Sequence, residues 1–187
     1  MIAKDFVFGY GSLAALGGAP PTRRRQDAGF VAGLPGFHRA WGVAMDNRLN
    51  LPGYKCYVDR AGRRPAVFVA FLDVVRDEGA AVNGVCRPVT AADLQTLDRR
   101  ERNYERVDVS HLIDADGARV WMYVGTAAGR ARLRAGRDAG TAVIDAAYLA
   151  AVRAGFAALG EGEQRLCEPS LAADGIPVLP LRRLELP

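Results

Sequence analysis

Two short stretches of this 187-residue chain combine residue types that can do chemistry. The first is Asp5-Phe6-Val7-Phe8-Gly9-Tyr10-Gly11-Ser12-Leu13, an apolar run that stops in a Gly-Tyr-Gly-Ser turn. Phe6, Val7 and Phe8 read as a buried strand, and the two glycines let the chain turn sharply with its backbone exposed. A turn of this kind can aim several N–H groups at one point, a nest for a carboxylate or an oxyanion. Read from the loop alone, a purely structural turn at a sheet edge fits equally well. Gly9-x-Gly11-x-x-Ala14 also fits a relaxed dinucleotide-binding fingerprint, but that requires a helix next, and Leu16-Gly17-Gly18-Ala19-Pro20-Pro21 breaks one within two turns. Ser12 lacks the Gly-x-Ser-x-Gly setting of a nucleophile elbow.

The second stretch is Thr90-Ala91-Ala92-Asp93-Leu94-Gln95-Thr96-Leu97-Asp98-Arg99-Arg100-Glu101-Arg102, which reads as a helix. Thr90 and Asp93 stand at capping-box spacing, with aspartate in place of the usual glutamate. Leu94 and Leu97 define a buried stripe. Glu101 follows at i+7 and i+4, on the same face one turn later, whereas Arg99, Arg100 and Arg102 point elsewhere. An acid that ends an apolar stripe either reaches solvent, where an arginine pairs with it, or enters a cavity, where desolvation makes it a usable proton carrier near neutrality. Asp98, at i+4 from Leu94, competes for the inward position. So does Glu105, if the helix ends before Asn103.

The elements that must position these two stretches are punctuated by glycine and proline. Strands are expected over residues 6–10, 29–34, 66–75, 82–89, 106–112 and 119–125, with a hairpin connection between Val109 and Val120. Helices are expected over residues 90–102, 127–135, 141–159 and 161–166. No repeat or low-complexity linker interrupts them. The expectation is therefore one α+β domain spanning residues 1–187, with residues 139–187 as a helical C-terminal extension that could lie across the sheet.

Half of the residues are hydrophobic and a quarter charged, as in ordinary globular proteins. No apolar run reaches the ~18 residues that cross a bilayer, and the N-terminus has no long apolar signal-peptide core. Cys56, Cys86 and Cys167 are odd in number and have no metal spacing, which suits reduced thiols in a cytoplasm. His38 and His111 stand apart and read as structural or surface groups. Arg23-Arg24-Arg25 looks like a basic patch, but net charge is only +4. The arginines are scattered among acids, with no interleaved aromatics for base stacking, so a solvated surface is expected and no nucleic acid or membrane partner. Only Lys4 and Lys55 among the 25 basic residues are lysines.

Taken together, the chemical stretches resemble the γ-glutamylcyclotransferase superfamily, its ChaC-like branch or a related γ-glutamylamine cyclotransferase-like branch. Phe8-Gly9-Tyr10-Gly11-Ser12-Leu13 is similar to the family's N-terminal Tyr-Gly-Ser-Leu signature. Leu34-Pro35-Gly36-Phe37-His38-Arg39 resembles its Leu-x-Gly-aromatic-x-Arg segment. Leu97-Asp98-Arg99-Arg100-Glu101 followed by Tyr104-Glu105-Arg106-Val107 resembles its Leu-Asp-x-x-Glu…Tyr-x-Arg-Val stretch. Val120-Trp121-Met122-Tyr123-Val124 resembles a later strand carrying a tyrosine, and residues 148–160 are a weaker match to a C-terminal helix. The segments around residues 13–25 and 43–54 depart from the ChaC pattern, which leaves the choice of glutathione as substrate open.

The resemblance implies a mixed, barrel-like β-sheet with flanking helices. It also implies a cofactor-free carbon–nitrogen lyase that releases 5-oxoproline and a free amine from a small γ-glutamyl amide. In that reaction the substrate's own α-amine attacks its γ-carbonyl, a tethered attack that benefits strongly from proximity. Glu101 is then the expected catalytic acid/base. Tyr10, Gly11, Ser12 and Leu13 are the expected substrate-binding loop, and Tyr123 is expected to orient the substrate. A non-catalytic small-molecule binding module using the same loop is the competing expectation; no metal site is expected, and oligomeric state is left open.

Overall fold

The computed structural model describes residues 5–15 and 29–187, so Arg23-Arg24-Arg25 and the Gly/Pro-rich segment after Ala15 lie outside the described residues. The apolar N-terminal run forms strand β1 (Asp5–Gly9), in which Phe6, Val7 and Phe8 are buried. A one-turn 3-10 segment follows at Ser12–Ala15. Then come β2 (Phe30–Asp46), β3 (Lys55–Val58), β4 (Phe68–Val89), α1 (Ala91–Arg100), β5 (Tyr104–Asp108), β6 (Val120–Gly125) and α2 (Ala127–Asp138). After Ala139 the chain holds β7 (Ala142–Asp145), α3 (Ala146–Ala158), α4 (Glu161–Cys167), β8 (Val178–Leu179) and β9 (Arg182–Glu185).

The long strand β4 organises the molecule. It pairs antiparallel with β2 from Phe30↔Cys86 to Asp46↔Phe68, with irregularities after Pro35 and Trp41. Its opposite edge carries β1, paired antiparallel over Val85–Val89, and β7, paired parallel at Phe68 and Val69. Between those two pairings the same edge is left open, and the candidate site forms there. The sheet continues in the order β5-β6-β1-β4-β7-β8, and β3 and β9 make a separate two-stranded sheet. This is the mixed sheet flanked by helices that the resemblance implies. It stays open at β5 and β8 among the described residues instead of closing into a barrel.

Three expectations about elements change. Residues 29–34 are only the start of β2, which runs through Pro35-Gly36 with a bulge and a left-handed Gly36 (φ 78°). Residues 66–75 and 82–89 belong to one strand. The helix expected over residues 141–159 begins only at Ala146, because Ala142 and Val143 pair with β4, Ile144 pairs with β8, and Asp145 caps the helix by accepting from Ala147 and Tyr148 N–H. Leu149, Val152 and Phe156 then form its buried stripe.

Beneath the open edge lies a fully buried carboxylate, Asp73. It accepts N–H bonds from Gly125 (2.7 Å) and Val74 (2.8 Å), and Arg130 Nε from α2 lies 2.8 Å away. A Cβ on Gly42 or Gly125 would stand 2.4 Å from Asp73 atoms, so both neighbours are glycine for lack of room. Asp73→Asn keeps the shape but turns an NH₂ towards donors. Stability should fall by about 2 kcal/mol, read as a lower urea midpoint with unchanged m.

Candidate active site

The loop after β1 folds back tightly: Ala14 N–H donates to Gly11 C=O at 2.9 Å. A Cβ on Gly9 would lie 2.8 Å from Ala14 N, so only glycine fits that return. Among the described residues the N–H groups of Gly11, Ser12 and Leu13 have no backbone acceptor, which leaves three donors on one bend. The loop is held from behind by Arg39, itself only 5 % exposed. Its Nε donates to Tyr10 C=O (2.5 Å), Nη2 to Asn83 C=O (2.6 Å) and Oδ1 (3.0 Å), and Nη1 to Ser170 Oγ (3.0 Å). The guanidinium also stacks on Phe156, 4.6 Å from its centroid.

Facing the loop is the end of α1. Thr90 and Asp93 do form a capping box, and the helix stops at Arg100 with Glu101 as its C-cap, Glu101 N–H bonded to Leu97 C=O at 2.8 Å. The Glu101 side chain is 13 % exposed and receives Arg100 Nε at 3.2 Å, so Arg100 turns back towards it instead of pointing away. The carboxylate thus lines a cavity and is paired with an arginine at once.

That cavity encloses about 300 Å³ counted to its open mouth. The loop residues Tyr10, Gly11, Ser12 and Leu13 line it together with Glu101, Tyr123, Leu72, Tyr104 and Tyr148. Leu72 lies where the edge of β4 opposite β2 is left open: its C=O accepts from the Tyr104 hydroxyl (2.7 Å), and its N–H donates to the Tyr148 hydroxyl (3.4 Å). The Tyr148 hydroxyl also meets the Ser12 side chain. Burial holds the Tyr10, Tyr104, Tyr123 and Tyr148 phenols protonated, and the Glu101 charge pushes each the same way.

All six expected site residues therefore meet around one cavity. Tyr10 and Tyr123 do so with their hydroxyls already engaged, Tyr10 with Tyr123 C=O (2.7 Å) and Tyr123 with Asp98 Oδ1 (2.7 Å). Asp98 stands at the edge, paired with Arg106 Nε at 3.1 Å, and Glu105 is exposed on β5. Of the three acids, Glu101 is the one that lines the cavity. Among the described residues no cluster of His, Cys, Asp and Glu could hold a metal ion. Tyr148, Tyr104 and Leu72 complete the site, and only long-range pairing could have pointed to Leu72.

A model of the family described as gamma-glutamyl cyclotransferase, AIG2-like, matches residues 7–140. The chain belongs to that family. The matched part of this cyclotransferase-family chain contains the loop, Glu101 and Tyr123, whereas Tyr148 and Ser170 come from the chain beyond it. A search of curated proteins gives no match. Solved structures share the fold. A gamma-glutamyl cyclotransferase is 15 % identical over 88 % of this chain and 86 % of its own, with TM-score 0.51. The uncharacterized human protein loc79017 is 17 % identical over 89 % and 87 %, with TM-score 0.53. YkqA from Bacillus subtilis is 16 % identical over 94 % of this chain and 56 % of its own, with TM-score 0.55. No helix among the described residues is long and apolar enough to cross a membrane.

Proposed function

We propose that this chain is a γ-glutamylcyclotransferase that converts a γ-glutamyl amide into 5-oxoproline and a free amine. The observation that carries the reading is that Glu101 lines the same cavity as the Gly11–Leu13 bend, whose three N–H groups have no backbone acceptor among the described residues. The bend holds the glutamyl α-carboxylate or the developing γ-oxyanion, for which aligned backbone donors are suited. Glu101 takes a proton from the substrate α-ammonium. The freed amine attacks the γ-carbonyl carbon to form a five-membered tetrahedral adduct. Glu101 then protonates the departing nitrogen, and the adduct's own ammonium sheds its second proton as the carbon–nitrogen bond breaks, so that both protons lost by the α-ammonium end on the amine that leaves as an ammonium.

No nucleophilic side chain takes part, since the substrate brings its own. The cavity's work is to fold the glutamyl chain so that amine and carbonyl meet, where tethering and orientation remove much of the barrier. Two buried and two half-buried tyrosines shape that space and lower its polarity, which strengthens the charge interactions within it. Three buried free thiols, Cys56, Cys86 and Cys167, support a reducing, cytoplasmic setting.

The test is 5-oxoproline release by the purified protein from glutathione, γ-glutamyl-alanine and γ-glutamyl-ε-lysine. Release from at least one is the expected result. Raised melting temperature with these compounds and no product would contradict the reading and indicate a binding module.

A further inference from the structure

Lys55 is one of two lysines in a chain that otherwise uses arginine, and it opens β3 beside the end of α1. Residues directly after Glu101 hold the neighbourhood together. Asn103 Nδ2 donates to the Tyr54 hydroxyl (3.3 Å), and the Arg102 guanidinium lies over the Tyr54 ring (5.1 Å). The Lys55 ammonium sits 4.3 Å from the Phe71 ring centroid and 5.6 Å from that of Tyr54. Phe71 in turn meets Tyr148, which lines the cavity, edge-to-face at 5.1 Å.

Among the described residues this ammonium has no hydrogen bond and no ion pair. Glu101 pairs with Arg100, and Glu185, its register partner on β9, pairs with Arg183 at 2.5 Å. Aromatic faces compensate a half-buried cation only in part, so an anion remains the better partner for this ammonium. An arginine would be fixed in charge and forked, whereas a lysine is a compact point charge that suits one incoming anion.

Resting on the cyclotransferase reading, we infer that Lys55 is a specificity-determining residue that receives a carboxylate on the leaving amine, so that γ-glutamyl amino acids and peptides are preferred over amides of uncharged amines. The glutamyl half is held by the loop. Glu101 returns the proton to the leaving nitrogen, and the Lys55 ammonium is close enough to feel the Glu101 charge. The groups facing Lys55 are Glu101 and Arg100 at the end of α1, Arg183 and Glu185 on β9, and Tyr54 next to it, while β4 presents only the uncharged Phe71. Burial lowers the Lys55 ammonium to about pKa 8, against the opposing pull of Glu101. Its charge is present below that pH and lost above it.

The experiment compares γ-glutamyl-alanine with γ-glutamyl-ethylamide, which differ by one carboxylate, in wild type, Lys55→Met and Lys55→Arg. Both 5-oxoproline release and calorimetric binding are read from pH 6.5 to 9.5. Wild type should favour γ-glutamyl-alanine about tenfold or more in kcat/KM at pH 7. That ratio should fall towards one above pH 8. Effects of pH on the glutamyl half, which the two compounds share, cancel in the ratio. Lys55→Met should abolish the preference while changing the ethylamide little, and Lys55→Arg should keep part of it. A ratio that does not respond to pH, or one that Lys55→Met leaves unchanged, overturns the inference even if the variants fold poorly, because the pH series uses wild type. No product from either compound, with carboxylate-dependent binding that Lys55→Met removes, would overturn the cyclotransferase reading and keep Lys55 as the anion site.

Discussion

Glu101→Gln should lower kcat for 5-oxoproline release by about 10²–10⁴-fold, the usual range for a lost general acid/base. The amide is isosteric, and its oxygen can still accept from Arg100 Nε, so the cavity wall keeps its shape. Thermal stability should therefore stay within about 0.5 kcal/mol of wild type. Only the ability to carry a proton goes, which places the loss in the transition state: kcat and kcat/KM should fall together with KM nearly unchanged. Asp98→Asn is the matched control. Asp98 is at the cavity edge, engaged with Arg106 and the Tyr123 hydroxyl, so its effect should be less than about tenfold. Steady-state assays of both variants separate the two acids. Activity that survives Glu101→Gln and vanishes in Asp98→Asn would reassign the base.

The second large effect is expected at Arg39. Among the described residues this buried guanidinium has no carboxylate partner. Its fork instead ties the Tyr10 carbonyl in the loop to Asn83 on β4 and Ser170 near the C-terminus. Asn83 passes the connection on, since its Nδ2 donates to Glu163 C=O (2.9 Å) and Oε2 (2.8 Å) on α4. Arg39→Met removes the fork and leaves two buried carbonyls unpaired, each costing about 1–3 kcal/mol. The summed loss of about 3 kcal/mol or more corresponds to a Tm drop of at least about 6 °C for a chain of this size. Activity should fall as well, measured well below the melting range, because displacement of the loop by about 1 Å is enough for a 10²-fold loss. Arg39→Lys restores the charge but not the fork and should recover only part of either property. A Met variant with wild-type melting and turnover would show that the loop holds its shape without Arg39.

How much of this was legible in the residues depends on the range of the interactions. The loop at Gly9–Leu13 and the position of Glu101 could be read because both are local: a glycine-bounded turn after an apolar strand, and an acid ending a leucine stripe. The choice among Glu101, Asp98 and Glu105 was not local. It turns on the helix ending at Arg100 and on β5 pairing with β6, which puts Glu105 on an exposed face. Strand β7 was hidden because Val143-Ile144 is flanked by alanine-rich sequence that reads as helix, and its pairing with Phe68 and Val69 on one side and with β8 on the other makes it a strand. Arg39 was visible as part of a resemblance but its task was not, since its partners lie 29, 44 and 131 residues away. Lys55 and Tyr148 reach the site by packing of the same kind, across elements that no period in the sequence joins.

The most direct test of the central claim follows the oxygen atoms. Purified protein is incubated with γ-glutamyl-alanine in 18O-enriched water, and products are resolved by mass spectrometry. Attack by the substrate's own amine predicts 5-oxoproline and alanine in equal amounts, with no heavy oxygen in the 5-oxoproline. Glutamate carrying 18O in its γ-carboxylate, or binding with no bond cleaved, would contradict it.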